Sequence, residues 1–238
     1  FICKVFNITS EGNYYEEATR EFKGTNIPFL IKDPDVLAHE MNLGEDEFTK
    51  KIESLRKRLF DVRKKRVHPL KDDKILTDWN GLMIAALAKA AQAFNEPRYA
   101  EAAKRAADFV LSHLRDPQGR LIKRYRQGAA GLPAHLDDYA FVVWGLLDLY
   151  EATFDVKYLE SAMELNKTMT ELFWDKENGG FYFTASDGEK LITRPKEIYD
   201  GAIPSGNSVA ALNLIRLSRI TGKEEFARMA ESIGKYFS

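Results

Sequence analysis

Three stretches of this chain are apolar around nearly the whole circumference of an α-helix. Each is followed, after a tight turn, by a helix that is apolar on one side only. Residues 79–94 are almost wholly Ala, Leu, Met, Ile and Phe; Asn95-Glu-Pro97 turns the chain; residues 98–114 then carry the stripe Tyr99, Ala103, Ala107, Val110 and Leu114. Residues 139–154 and 157–174 repeat the pattern, turning at Asp155-Val156, with Tyr158, Ala162, Met169 and Phe173 in the stripe. Residues 208–220 and 224–237 repeat it again, turning at Thr221-Gly222, with Phe226, Met229, Ala230 and Ile233. The offsets are regular: Trp79 to Tyr139 and Phe94 to Phe154 are both 60 residues. A helix apolar all round is buried all round, whereas a striped helix has one face in water. Side by side, such hairpins put the apolar helices in an inner ring and the striped ones outside. A repeat at fixed period means each unit buries its apolar face on its neighbours. The pattern therefore predicts an all-α fold, an α/α toroid, incomplete in this chain, with short β hairpins in its loops.

Ahead of the first hairpin, residues 1–8 alternate apolar and polar and predict a strand, with residues 27–31 as its return partner. A short helix is expected over 34–41. A longer one is expected from Glu45 to about Arg66, with the stripe Phe48, Ile52, Leu55, Leu59 and Val62. That helix fits an outer helix of the ring, and the basic run 56–66 reads as its solvated face. The chain thus reads as one partial toroid domain: 1–44 a β hairpin and connecting segment, 45–238 helical hairpins. The chain opens on Phe1 inside a strand-like pattern, and it reads as part of a longer protein. A symmetric homodimer, or further N-terminal chain, is expected to cover the open apolar flank.

Charge and cysteine content narrow the function classes. With 35 Lys and Arg against 36 Asp and Glu, the formal net charge is −1, and the chain has no positive excess to attract nucleic acid or a membrane surface. No apolar run approaches the ~20 residues of a membrane span. The single Cys3 forms no internal disulfide or thiolate metal site, so a cytoplasmic location is expected. There is no G-x-x-x-x-G-K-[ST], G-x-G-x-x-G, H-E-x-x-H or G-x-S-x-G motif, which sets aside P-loop, dinucleotide-binding, zinc-peptidase and α/β-hydrolase chemistry. No cofactor or metal is expected.

What remains is the polar material just before each inner helix. All inner helices of such a ring run the same way, so their N-termini, with unpaired N–H groups and positive dipole ends, converge on one mouth. Before the first stand His68, Asp72, Asp73, Lys74, Asp78, Trp79 and Asn80; before the second His135, Asp137, Asp138 and Tyr139; before the third Arg194, Asp200, Ser205 and Asn207. Carboxylates and amides take hydroxyl hydrogen bonds and aromatic rings cover an apolar sugar face, so this mixture suits a carbohydrate. Asp73 and Asp138 are the expected acid/base carboxylates, with His135 as an alternative proton carrier. Trp79 and Tyr139 are the expected stacking surfaces. The same residues have structural readings too. Thr77, Asp137 or Asp138, and Ser205 are candidate helix N-caps, and Trp79 could be core. Of two adjacent carboxylates only one is expected to cap.

These residues also resemble a known family. Arg63-Lys-Lys-Arg-Val-His-Pro69, Asp72-Asp-Lys74, Trp79-Asn-Gly-Leu-Met83, Leu136-Asp-Asp-Tyr-Ala140 and Asp200-Gly-Ala-Ile-Pro-Ser-Gly-Asn-Ser208 look like the C-terminal part of the thioredoxin-domain-containing family of YyaL and spermatogenesis-associated protein 20. The resemblance implies a toroid like those of six-hairpin glycosidases and N-acylglucosamine 2-epimerases, and the corresponding activity classes, glycoside hydrolysis or sugar epimerisation. The thioredoxin-like part and its Cys motif have no counterpart here. The alternative expectation is a non-catalytic scaffold or binding domain.

Overall fold

The computed structural model describes residues 1–238, which form two compact units, Phe1–Lys71 and Asp72–Ser238. The first contains α1 (Ile2–Val5), the two-residue antiparallel strands β1 (Tyr15–Glu16) and β2 (Glu21–Phe22), α2 (Pro34–Glu40) and α3 (Glu45–Arg63). Its core is small: Val5, Leu37, Ala38 and Phe48 are buried, with Phe6, Met41, Leu43 and Ile52 packed around them. The strand expected over residues 1–8 is a helix instead. Phe1 and Val5, four apart, lie on one helical face, and the Phe1 ring rests 5.9 Å from that of Phe48. Packing on α3 thus outweighs the alternating pattern. The return strand expected at 27–31 does not form either; Asn13 ties that segment down by accepting from the Ile27 N–H and donating to the Ile27 carbonyl. On α3 only the first part of the predicted stripe is used: Phe48 is buried, while Leu59 and Val62 are exposed.

The second unit carries the repeat. Its elements are β3 (Ile75–Leu76), α4 (Thr77–Phe94), α5 (Pro97–His113), β4 (Ile122–Arg126), β5 (Ala129–Pro133), α6 (Leu136–Thr153), α7 (Val156–Phe173), α8 (Gly206–Thr221) and α9 (Glu224–Phe237). The three hairpins are α4–α5, α6–α7 and α8–α9, and their inner helices stand side by side in the order α4, α6, α8. Each inner helix ends on a residue in the left-handed region, Asn95, Phe154 and Gly222, at the three turns the sequence marks. Strands β3, β4 and β5 form one antiparallel sheet, with Leu76 opposite Arg124 and Arg124 opposite Gly131. Of the short β hairpins expected in the loops, the one after the second hairpin reduces to one bridge, Trp174 with Phe181, which matches the bridge of Arg115 with Leu121 in the preceding hairpin.

Helix α6 is the centre of the core, buried from Leu136 to Leu149 on almost every side. The expectation of all-round burial fails for α4. It packs on α5 and α6, but Trp79, Met83 and Phe94 face outward, because no helix stands on its other side within this unit. Leu212 and Ile215 of α8 are similarly exposed. At the far end of the inner helices, Arg216 of α8 reaches Asp148 (2.6 Å) and Glu151 (2.7 Å) of α6, and Lys89 of α4 approaches the same two carboxylates at 3.4 Å.

Two glycines let α4 and α6 cross at backbone distance. A Cβ on Gly81 would lie 2.5 Å from the Phe141 carbonyl carbon, and one on Gly145 would lie 2.6 Å from the Gly81 oxygen. In an open helix Gly→Ala gains up to ~1 kcal/mol. Here backbone atoms cannot swing aside as a side chain could, and overpacking costs ~1–3 kcal/mol. Gly81→Ala is therefore expected to lose about 1 kcal/mol net, read as a lower urea midpoint. A variant as stable as the parent would show that the helices do not cross this closely.

Candidate functional site

The N-terminal ends of α4, α6 and α8 meet, and two adjacent aspartates join them. Asp138 is fully buried. Its Oδ1 accepts from the Asp78 N–H of α4 at 3.1 Å, and its Oδ2 accepts from the His135 N–H at 2.8 Å, closing its own helix. Asp137 turns the other way, to the start of α8, where it lies against Gly206 and the Gly206 N–H tends to lower its pKa. A Cβ on Gly206 would come within 2.3 Å of Asp137 Oδ1, so only glycine admits that carboxylate. Asp78 accepts from the Trp79 N–H at 2.8 Å. Lys123, arriving on β4, donates to Asp78 Oδ2 at 2.7 Å and to Asp138 Oδ1 at 3.1 Å. Of the two neighbouring Asp side chains only Asp138 closes the start of α6, while Asp137 faces α8.

Electrostatics divide the cluster. Burial pushes Asp137 up to about 6, opposed by Lys123 and reinforced by the charges of Asp78 and Glu197. Burial also pushes Asp138 up to about 6, opposed by Lys123 and by the His135 N–H. The Lys123 ammonium is itself disfavoured by burial, yet Asp138 and Asp78 together hold it above the ordinary lysine value. His135 is pulled down by burial and by Lys123, which keeps its imidazole neutral near pH 7. That ring stacks on Phe183 at 4.7 Å and 10°. Both carboxyls are pushed to about 6, but Asp138 has both oxygens committed to protein donors, whereas Asp137 is only partly buried. Of the two, Asp137 is the better placed to pass a proton.

The other sequence candidates disperse. Asp73 is exposed and pairs with Arg126, and Asp72 pairs with Lys74 at 3.0 Å; neither joins the carboxylates around Lys123. Thr77 does not cap. Leu76 holds the N-cap position, and the Thr77 hydroxyl donates to the Ile122 carbonyl. Asn80 donates to the Leu76 carbonyl at 2.7 Å. Trp79 is 61% exposed beside Asp78, so it is not core. Tyr139 is the reverse: its ring is buried against Phe173, and its hydroxyl accepts from the Leu121 N–H at 2.9 Å. Arg194 donates to the Thr184 carbonyl and lies over the Tyr182 ring at 4.2 Å. Ser205 caps α8 by accepting from the Ser208 N–H, and Asp200 accepts from the Ser205 N–H at 2.8 Å. Asn207 is buried and clamps Phe181 through both its N–H and its carbonyl. His68 is an exposed residue of the first unit. Sequence reasoning missed Lys123 and Glu197. The signal for Lys123 was available: a charged residue in a strand-like run, where the alternation of Leu121–Arg126 sends it toward the carboxylates.

The architecture places the second unit among the α/α toroids. Among solved structures, the chain aligns with a GH76 α-mannanase of Bacteroides thetaiotaomicron at TM-score 0.55 and 22% identity, over 69% of this chain and 45% of that one. A cellobiose 2-epimerase of Spirochaeta thermophila aligns at TM-score 0.55 and 19% identity, over 67% and 42%. A family 105 glycoside hydrolase of C. acetobutylicum aligns at 0.53 and 18%, over 85% and 60%. No family model matches the chain. In sequence it is similar to spermatogenesis-associated protein 20: it is 35% identical to the Homo sapiens protein over 237 residues, 94% of this chain. An uncharacterised Caenorhabditis elegans protein is 32% identical over 96% of the chain. The chain spans 30% of the length of the human relative. No helix is long and apolar enough to cross a membrane.

Two outcomes follow from the charge arrangement. Lys123→Met leaves Asp78 and Asp138 buried without their cation, a change that costs ~3–5 kcal/mol. Adding Asp138→Asn should return part of that loss in denaturant titrations; no recovery would mean that Lys123 acts otherwise. Asp137 is held neutral in the folded state, so its favourable contribution is complete below pH ~4 and is lost as pH rises through about 6. Asp137→Asn should therefore gain on the parent across that window. Parallel stability–pH curves would refute the raised Asp137 value.

Proposed function

We propose that the second unit binds carbohydrate, or acts on it, at the mouth where α4, α6 and α8 begin. The observation that carries this reading is the convergence of three helix N-termini on a partly buried carboxyl that titrates near neutrality, beside a neutral imidazole and an exposed indole. Asp137 serves as the acid, His135 as the base, and Trp79 as the surface on which a sugar ring stacks. Asp138, Asp78 and Lys123 position them. The structural neighbours supply the substrate class: their names include α-mannanase, cellobiose 2-epimerase and D-mannose isomerase. A carboxyl that gives a proton and an imidazole that takes one serve either reaction: protonating the leaving oxygen while activating water in hydrolysis, or removing and returning the proton beside a carbonyl in epimerisation. A cytoplasmic setting accords with the lone unpaired Cys3.

A second reading has its own support. The oxygens of Asp138 are fully employed in holding helix ends, as a scaffold requires. A thermal-shift panel of monosaccharides and disaccharides, mannose and cellobiose included, separates the two. The carbohydrate reading expects at least one sugar to raise the melting temperature, with Trp79→Ala and Asp137→Asn each weakening it roughly tenfold. A panel with no stabilising sugar favours the scaffold.

A further inference from the structure

A cavity of about 320 Å³ lies on the loop side of the second unit, between the β4–β5 hairpin and the turn at residues 185–188. Its walls are apolar, formed by Leu121, Ile122, Leu132, Leu172 and Ala185. Its volume falls in the ~300–1,000 Å³ range of small-molecule sites. Arg120 and Asp187, 2.7 Å apart, close an ion pair across its rim. The Tyr139 side chain, 1% exposed, forms part of the lining. Its hydroxyl oxygen accepts from the Leu121 N–H, but its proton has no protein acceptor. Burial pushes that phenol up to about 12, so it stays a donor at every physiological pH. A buried donor left unused costs free energy unless something meets it. Tyr139 follows Asp138 directly, and successive side chains of a helix diverge by about 100°. The cavity is thus lined by residues other than the carboxylates that hold Lys123.

We propose that this cavity is a second binding site, for a small, neutral, mostly apolar molecule that presents one hydrogen-bond acceptor to the Tyr139 hydroxyl. Neutrality follows from the charged residues of the lining: Arg120 and Asp187 satisfy each other, and Asp116 Oδ1 already accepts from the Gln118 and Arg120 N–H groups. The apolar body follows from the walls, and the single acceptor from the single free proton. This site does not depend on the carbohydrate reading.

Acetophenone and ethylbenzene are suitable probes, because they differ in little but a carbonyl. In amide NMR titrations of the full chain, acetophenone should shift the Leu121 and Ala185 resonances. Ethylbenzene should bind at the same place roughly fivefold more weakly, the value of one neutral hydrogen bond. Tyr139→Phe should erase that difference, and Ala185→Phe, which fills the cavity, should abolish both responses. If Tyr139→Phe fails to fold, the two probes on the parent and on Ala185→Phe still decide the matter. Unmoved Leu121 and Ala185 amides, equal affinity for the two probes, or unchanged binding in Ala185→Phe would each overturn the proposal.

Discussion

The second unit depends on two neighbouring carboxylates that point to different helices. Asp138 accepts from the N–H of Asp78 on α4, and Asp137 lies against Gly206 at the start of α8. Helix N-termini repel one another through their like dipole ends and their unpaired donors, so three of them meet only where side-chain oxygens accept from those donors. Lys123 then prevents the opposite excess, that of too many carboxylates in one place. The mouth is first a solution to a packing problem. Any chemistry it performs uses groups whose protonation that packing has already shifted.

The same logic runs through the core. Alpha-helix α6 is held at its start by Asp137 and Asp138, and at its far end by the ion pairs of Asp148 and Glu151 with Lys89 and Arg216. Between these ends it is almost purely apolar, and Gly81 and Gly145 allow α4 to touch it backbone to backbone. The flanking inner helices, α4 and α8, each keep an exposed apolar face, which is how an arc of a ring differs from a closed one.

Much of this was legible in the residues. The hairpin repeat follows from the 3.6-residue periodicity and from turns at Asn95, Asp155 and Gly222, signals that are strictly local. The gathering of Asp78, Asp137, Asp138 and His135 follows from the repeat, because equivalent positions of equivalent units face the same way. What was not legible depended on non-local partners. Nothing near Asp73 shows that it pairs with Arg126 in the open, or that Tyr139 turns into the core while Trp79, its repeat equivalent, turns out. The helix at residues 2–5 exists because Phe1 and Val5 pack toward Phe48, more than 40 positions away in sequence. The burial of α4 was over-read because its composition describes the company a helix requires, whereas its exposure depends on which neighbours are present.

Apolar helices such as α4, α6 and α8 are nearly interchangeable cylinders, and a slide of one turn, about 5.4 Å, would bury almost as much surface as the native alignment. The charges at both ends of α6 remove that degeneracy. A slide along the helix axis that kept one end in contact would have to stretch or compress the helix to keep the other. The polar ends therefore work as index marks on otherwise featureless rods. They fix the axial alignment of each hairpin against the next, and so the height at which every loop at the mouth is presented.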